Sequence, residues 1–292
     1  MLIKKARKLR KKGYSYREIA VLVNKSSKFA YSKAKDIKFD KVGEKRYNKE
    51  VKGITKKIKN QISYLTSTKV RIIGHLLFDG TLFESEYHYV IRYINASKDL
   101  IDQFASDIKK IYRILPSSLE IFRNKNNFNY YKITFNSKLV FEDLKKYFVS
   151  FSTANDKIVI PKEIMNAKEE IKLEFLKSFF EDEGSISHKG RIMGDLKSEK
   201  IIKQIINLLN EFGLEFRLCK YNQYTGYMWK IYLPKNKENL EKFYKLGLFE
   251  KSIITHGYNI GKKKLDILKE NIMKMKRQHQ RFAACRPLQH PA

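Results

Sequence analysis

An internal duplication limits the folds open to this chain more than any other feature of its sequence. The segment IIGHLLFDGTLF at 72–83 resembles LKSFFEDEGSIS at 176–187. Two further matches follow in the same order, SKDLIDQFASDIKKIY with SEKIIKQIINLLNEFG and YYKITF with MWKIYL. Similarity that stays collinear through three segments indicates two copies of one structural unit.

Each copy is predicted to fold as a helix, two strands, a helix, two strands and a final helix. The first two matched segments have helical spacing, and Ser97 and Ser198 are placed to N-cap the middle helices. The third segment alternates with period two, as half-buried strands do. The predicted class is therefore α+β, with tandem pseudo-twofold αββαββα repeats that form a saddle of two antiparallel sheets. One face of each sheet would pack on helices, and the other would be wet and basic.

The net charge indicates the kind of partner to expect. The chain has 61 Lys and Arg against 31 Asp and Glu, a formal charge of +30, and residues 1–60 alone hold 21 basic and 5 acidic side chains. This balance favours a polyanion, above all double-stranded DNA. No apolar stretch is long enough to span a membrane, and the N-terminus lacks a secretory pattern. We therefore expect no membrane partner. Cys219 and Cys285 are far apart and do not form a disulfide framework, so we expect a reducing, cytoplasmic setting.

The basic N-terminal segment is predicted to form three short helices and a small all-α domain. Gly13 suits a left-handed position, and Ser15 can cap the second helix. The stretch ARKLRKKGYSYREIAVLVNKSSKFAYSKA is similar to the resolvase-type helix-turn-helix arm, although Asn24 and its neighbour replace the usual glycine turn. Lys28 and Lys33 are therefore candidate DNA contacts. A basic helical hairpin without base readout is the alternative interpretation.

These observations divide the chain into five segments. In order, they are a helix-turn-helix-like DNA-binding domain at 1–36, a basic linker at 37–68, a first repeat at 69–165, a second repeat at 166–276 and an unstructured tail at 277–292.

One acid at the end of each predicted motif helix is the strongest candidate for chemistry. Asp79 and Glu183 occupy matching positions, and Gly80 and Gly184 follow as expected left-handed helix stops. A carboxylate at a helix C-terminus faces the negative end of the helix dipole, and two such ends side by side repel each other. A divalent cation removes both penalties, and oxygen ligands with open water positions suit Mg²⁺.

The two motif helices can approach closely only if their contact residues are small. Gly74 and Ser178, each five residues before the acid, meet that requirement. With these residues in place, IIGHLLFDG and LKSFFEDEG resemble the two motifs of a single-chain LAGLIDADG homing endonuclease, over about residues 69–276. The departures are Leu77, in place of a mid-motif acid, and Ser178, in place of a common glycine.

The resemblance implies a monomeric, metal-dependent DNA endonuclease with internal pseudo-twofold symmetry. It implies that Asp79 and Glu183 are the metal-binding acids, and we include Gly80 and Gly184 in the predicted metal site. It also implies a catalytic lysine in each copy, for which Lys157 and Lys251 are the candidates. The predicted DNA contacts on the strands are Arg92, Arg123, Lys132, Arg217 and Lys230.

Other side chains near the motifs have plainer interpretations. His75 is expected to be a packed helix residue rather than a ligand. Glu181 and Asp182 are expected to be surface acids beside the metal. Neither end of the chain resembles an intein splice junction, which favours a free-standing protein.

Two other functions remain open from the sequence. The chain could be a DNA-binding transcriptional regulator that kept this scaffold and lost cleavage, or a maturase that binds intron RNA. Both motif acids are intact, which favours the endonuclease.

Overall fold

The computed structural model describes residues 2–47, 64–85, 88–123, 128–148, 150–154, 157–223 and 226–284, with side chains up to 277. The chain forms two compact units, Met1–Tyr64 and Leu65–Ala292. Among the described residues, no helix combines the length and the apolar character that a membrane span requires.

The N-terminal unit is built from short helices whose ends are set by local side chains. They are α1 (Leu2–Lys11), α2 (Tyr16–Val23), α3 (Ser27–Ala34) and α4 (Lys41–Tyr47). Ser15 and Glu18 form a reciprocal capping box at the start of α2. Gly13 and Asn24 have positive φ values of 82° and 51°, as expected for residues that follow a helix. The core of this unit consists of Ala6, Ile19, Ala20, Val23 and Ala30.

Helix α4 lies where the sequence predicts a linker, so the helical unit does not end at residue 36. Gly13 and Gly43 allow α4 to pack closely, because a Cβ on Gly13 would lie 2.1 Å from the Gly43 carbonyl oxygen. Arg46 stacks 3.4 Å above the centre of the Tyr14 ring and donates to Glu18 over 3.1 Å. Residues 48–63 of the predicted linker lie outside the described part of the chain.

The second unit contains the two repeats. The first comprises α5 (Ser67–Phe78), β1 (Gly80–Ser85), β2 (His88–Asn95), α6 (Lys98–Tyr112), β3 (Ser118–Arg123), β4 (Asn129–Asn136) and α7 (Lys138–Leu144). The short helix α8 (Lys162–Met165) comes between them. The second comprises α9 (Glu169–Asp182), β5 (Gly184–Ile186), β6 (Ile192–Leu196), α10 (Glu199–Glu211), β7 (Arg217–Gln223), β8 (Gly226–Tyr232) and α11 (Lys237–Lys245), and α12 (Lys264–Ala284) follows.

Each repeat forms one antiparallel four-stranded sheet, and the two sheets have the same topology. The strand orders are β1-β2-β4-β3 and β5-β6-β8-β7. One edge strand of each sheet, β1 or β5, begins directly after a motif helix. The predicted α+β class with tandem αββαββα repeats is therefore confirmed.

The motif helices α5 and α9 pack against each other through their small residues. A Cβ on Gly74 would lie 2.6 Å from the Ser178 Cβ, so the two backbones meet at this point. Below it, the Phe78 ring contacts Phe175 and Phe179 at centroid distances of 5.6 and 5.3 Å. The close approach predicted from the sequence is present, and it brings the two helix ends to the same region.

Two local expectations differ from the structure. Ser97 occupies the N-cap of α6, but its hydroxyl donates to the Lys251 carbonyl over 2.6 Å instead of capping the helix. Ser198 does cap α10. Helix α12 continues to Ala284, so the first half of the predicted unstructured tail is helical. Residues 285–292 lie outside the described chain.

Candidate active site

The two motif acids cap the C-termini of the packed helices. The backbone N–H of Asp79 donates to the His75 carbonyl over 3.1 Å, and that of Glu183 donates to the Phe179 carbonyl over 2.8 Å. Each helix therefore ends at its acid, and the next residue begins an edge strand of a sheet. Both residues are half-buried.

The glycines after the acids are not left-handed helix stops, contrary to the prediction. Positive φ angles occur at other glycines but not at Gly80 or Gly184. A Cβ on Gly80 would lie 2.5 Å from the Leu76 Cα, and one on Gly184 would lie 2.4 Å from the Phe180 carbonyl oxygen. Glycine is needed because the strand turns back tightly against the last turn of the helix. This close approach, rather than a special backbone angle, places each acid at the start of a sheet.

The electrostatics of the site disfavour two carboxylate charges. Burial, and then the neighbouring Asp182 charge, raise the pKa of Asp79 to about 7. Burial, followed by the charges of Asp79 and Asp182, raises the pKa of Glu183 well above its usual range. Within the described chain, no donor is hydrogen-bonded to the Glu183 carboxylate. Crowded acids with free lone pairs are the donor set that a hard divalent cation would satisfy.

Asp182 is a buried structural acid rather than a surface residue. Its side chain is fully buried and accepts hydrogen bonds from Tyr93 Oη (2.7 Å) and Asn95 Nδ2 (3.2 Å). Its other oxygen lies 2.8 Å from His75 Nδ1. Burial opposes the charge of His75, yet the Asp182 carboxylate raises the pKa of the ring above its usual value. Burial likewise raises the pKa of Asp182. His75 and Asp182 thus form a buried hydrogen-bonded pair that joins the two motif helices.

Glu181 is buried as well, and it fastens a distant loop to the end of α9. Its carboxylate accepts the backbone N–H groups of Glu250, Lys251 and Ser252 over 2.7, 2.8 and 2.6 Å. A carboxylate that accepts three backbone donors has its charge well satisfied. Glu181 therefore holds the loop after α11 against the active-site region.

Two further side chains complete the candidate site, and no sequence pattern distinguishes them. Asn95, at the end of β2, donates from Nδ2 to Asp79 over 3.1 Å and accepts the Ser97 N–H over 2.9 Å. Lys264, at the start of α12, is only 6% exposed and donates to the Glu181 carbonyl over 3.0 Å. Burial lowers the pKa of Lys264, while the surrounding carboxylates, including Asp79 and Glu183, oppose that shift. Both residues reach the acids through tertiary packing, and Lys264 is one of three consecutive lysines.

A cavity of about 300 Å³ opens beside the acids. Its charged and polar lining includes Asp79, Asn95, Asp182 and Lys264. The described lining does not include Lys157 or Lys251. Lys157 is exposed, and Lys251 is bound through its backbone to Glu181 and Ser97.

The residues present fit a divalent cation only if it has ligands from outside the chain. No group of three or more His, Cys, Asp or Glu side chains in the described residues is arranged to hold a metal ion. Mg²⁺ is commonly bound by one or two carboxylates together with waters and substrate phosphates. Asp79 and Glu183 supply that number of carboxylates.

The open faces of the sheets carry most of the strand cations expected to contact DNA. Arg92 pairs across the strands with Thr134, two residues from Lys132, so both side chains share the face opposite the buried Ile133. Arg217 and Lys230 share the corresponding face of the second sheet. Arg123 differs, because it pairs with Asn129 and so lies on the face of Tyr131 and Ile133. In the N-terminal unit, Lys28 and Lys33 are exposed on α3.

Comparisons with known proteins give only structural neighbours. No protein-family model and no curated protein matches the chain. The homing endonuclease I-DmoI in complex with DNA and Mn is similar at 15% identity over 63% of this chain and 98% of that chain, with a TM-score of 0.49. I-WcaI bound to its DNA recognition sequence is 18% identical over 66% of this chain and 85% of that chain, with a TM-score of 0.43. The N-terminal LAGLIDADG domain of DUF199/WhiA is 16% identical over 65% of this chain and 88% of that chain, with a TM-score of 0.43. These neighbours are LAGLIDADG proteins.

Proposed function

We propose that this protein is a site-specific, metal-dependent endonuclease that cuts double-stranded DNA. The observation that carries the proposal is the pair Asp79 and Glu183, which cap two packed helices and lie close enough for the charge of Asp79 to raise the pKa of Glu183. Because each acid belongs to one repeat, one chain holds the whole site, and a monomer would cut both strands.

The proposed chemistry is hydrolysis of a phosphodiester bond. A bound divalent cation, with Mg²⁺ the best fit to oxygen ligands, would stabilise the attacking and leaving oxygens. Asp79 and Glu183 would hold it, and Asn95 orients the Asp79 carboxylate. Lys264 donates hydrogen bonds to the Phe180 and Glu181 carbonyls near the end of α9, and its ammonium lies among the acids. Lys157 and Lys251, which lie outside the cavity lining, remain the candidates for stabilising the negative charge that develops on the phosphate in the transition state.

The sheets are the proposed DNA-binding surface. Strands β1 and β5 each start beside an acid, so DNA whose phosphates reach the acids would run along both sheets, as in the predicted saddle. The open faces offer Arg92 and Lys132 on one side and Arg217 and Lys230 on the other. In the N-terminal unit, Lys28 and Lys33 would contact flanking DNA, which suits a chain with a net charge of +30.

The test is cleavage of DNA that contains the target site. Purified protein is incubated with the DNA that flanks its own gene, in intact form and with any intron removed, with and without Mg²⁺. We expect a double-strand break in one of these substrates only when Mg²⁺ is present. Metal-independent cutting, or cutting that persists in Asp79→Asn, would contradict the assigned site.

A DNA-binding regulator is the second candidate, and the separate helical N-terminal unit favours it. Such a protein would bind one duplex tightly and leave it uncut at any divalent-metal concentration. Binding without cleavage in the same experiment would therefore select this function.

A further inference from the structure

Each sheet carries a lysine–carboxylate ion pair on its open face. Lys132 Nζ lies 2.6 Å from Glu120 Oε2, and Lys230 Nζ lies 3.5 Å from Asp195 Oδ1. The two lysines occupy equivalent positions, Lys132 on β4 and Lys230 on β8. All of these side chains retain solvent access, from 25% for Lys132 to 52% for Glu120.

Carboxylates on this face need an explanation, because a surface that binds phosphate loses affinity for each acid it carries. The acids are also held in place. Tyr221 Oη donates to Asp195 over 3.0 Å, Gln223 donates to Tyr221 over 3.2 Å, and the Lys230 ammonium lies 4.4 Å above the Tyr221 ring. Burial and the Asp195 charge raise the pKa of Tyr221 to about 12, which keeps its hydroxyl a donor. On the first sheet, Lys132 holds Glu120.

The fixed groups keep hydrogen-bonding capacity for a ligand. An ammonium group has three donors and a carboxylate has about four acceptor sites. Each ion pair therefore presents a donor edge beside an acceptor edge. A ligand that complements such a pair has hydrogen-bond acceptors facing the ammonium and a donor facing the carboxylate.

A G·C base pair has that pattern in the major groove. Guanine presents two acceptors, N7 and O6, and cytosine presents the N4 donor. An A·T pair presents an acceptor at both outer positions, N7 of adenine and O4 of thymine, so a carboxylate would face a lone pair. The inverted C·G pair would place the donor against the ammonium.

We infer that each ion pair reads one G·C base pair, with Lys132 and Lys230 on guanine and Glu120 and Asp195 on cytosine. This inference rests on the proposed function and names the bases that it selects. The lysines supply affinity, and the acids supply the discrimination against A·T.

The experiment is selection of duplexes from a randomised library by the full-length protein in EDTA, which prevents cleavage. Wild type, Glu120→Ala and Asp195→Ala are compared. Asp102→Ala is the matched control, because Asp102 forms an exposed ion pair with Lys98 within α6 and is not a strand residue. Thermal melting establishes that each variant is folded.

We expect the wild-type consensus to fix a G·C pair in each half-site. Glu120→Ala should relax one of these positions to admit A·T and T·A, and Asp195→Ala should relax the other, each with a loss of about tenfold or more in discrimination. Asp102→Ala should leave both positions fixed. If the two sheet variants bind all duplexes more tightly with an unchanged consensus, the acids only position the lysines and the inference is wrong. If wild type enriches no duplex, the proposed function fails, and the inference fails with it.

Discussion

At the scale of single residues, substitutions at Asp79 and Glu183 should distinguish DNA cleavage from DNA binding. We expect Asp79→Asn and Glu183→Gln to abolish Mg²⁺-dependent cleavage while affinity for the target duplex survives, because each variant would remove one proposed ligand of the cation. Gel-based cleavage and binding assays on the same duplex measure the two effects. A normal cutting rate in either variant would refute the assignment.

When no metal is bound, the ionised Asp79 carboxylate should lower the free energy of unfolding. An acid whose pKa is raised on folding binds its proton more tightly in the folded state, so its ionisation between about pH 4 and pH 7 destabilises the fold. In EDTA at pH 8, Asp79→Asn should therefore melt higher than wild type, by roughly 2–4 °C for about 1 kcal/mol. The gain should shrink as the pH falls to 5, where Asp79 in the folded protein is already protonated. A gain independent of pH would point to another cause.

Lys264 is expected to stabilise the site as a buried cation. Lys264→Met removes the hydrogen bonds of the ammonium to the Phe180 and Glu181 carbonyls and leaves the surrounding acids less compensated. We therefore expect a loss of about 2–4 kcal/mol in the free energy of unfolding in EDTA. Lys263→Met is the control, since Lys263 forms an exposed ion pair with Asp99 and its loss should cost about 0–1 kcal/mol. Equal effects in the two variants would show that Lys264 has no special role.

The strand lysines and the remaining candidate lysines should have opposite kinetic effects. Lys132→Ala and Lys230→Ala should weaken DNA binding and leave single-turnover cleavage at saturating protein nearly unchanged. Lys157→Ala and Lys251→Ala should slow that cleavage with near-normal binding. Loss of cleavage at saturation in the strand variants would contradict this division.

At this scale, the sequence identifies the acids but not their supporting side chains. Asp79 and Glu183 stand out because the duplication aligns them. Asn95 and Lys264 join the site only through packing between distant segments, and no local pattern distinguishes them from other polar residues. Glu181 and Asp182 were assigned to the surface because their buried partners, a loop 70 residues away and the other motif helix, are invisible to helical periodicity.

At the scale of elements, the contact between α5 and α9 determines how close the acids come. Gly74→Ala places a methyl group where only 2.6 Å is free, so we expect it to destabilise the protein by about 1–3 kcal/mol and to slow cleavage. Adding Ser178→Gly makes room at the same point and should recover part of both losses. Denaturant unfolding and single-turnover cleavage of the single and double variants form the test. Additive losses in the double variant would show that the two residues do not share this contact.

The elements themselves are mostly predictable, and the exceptions are contacts between them. Alternation and helical spacing locate the strands and helices of both repeats, since these patterns reflect one buried face. The sequence allows a linker or an irregular helix after residue 36 and does not define α4, because its apolar pattern is weak. Helix α4 packs instead through the close approach of Gly13 and Gly43. The prediction of a left-handed conformation for Gly80 and Gly184 is wrong. Glycine is required there because a side chain would collide with the preceding helical turn, not because of the backbone angle.

At the scale of the whole molecule, the two compact units should be separable. We expect deletion of residues 1–60 to leave a folded, cleaving protein that binds DNA more weakly, because both acids and both sheets belong to the second unit. The dependence of log affinity on log salt should become shallower by about 0.9 for each phosphate contact removed. Unchanged affinity and slope would show that the N-terminal unit does not touch DNA.

The equivalent lysines of the two sheets take their carboxylate partners from different neighbours, Glu120 from the outer strand β3 and Asp195 from the inner strand β6. A dimer of identical subunits could not differ in this way, since every substitution would appear twice. Here each copy has its own arrangement, while each supplies one acid to the candidate site. Under the proposed function, one chain would therefore recognise a DNA sequence whose two halves differ, and one substitution would alter recognition of one half without altering that of the other.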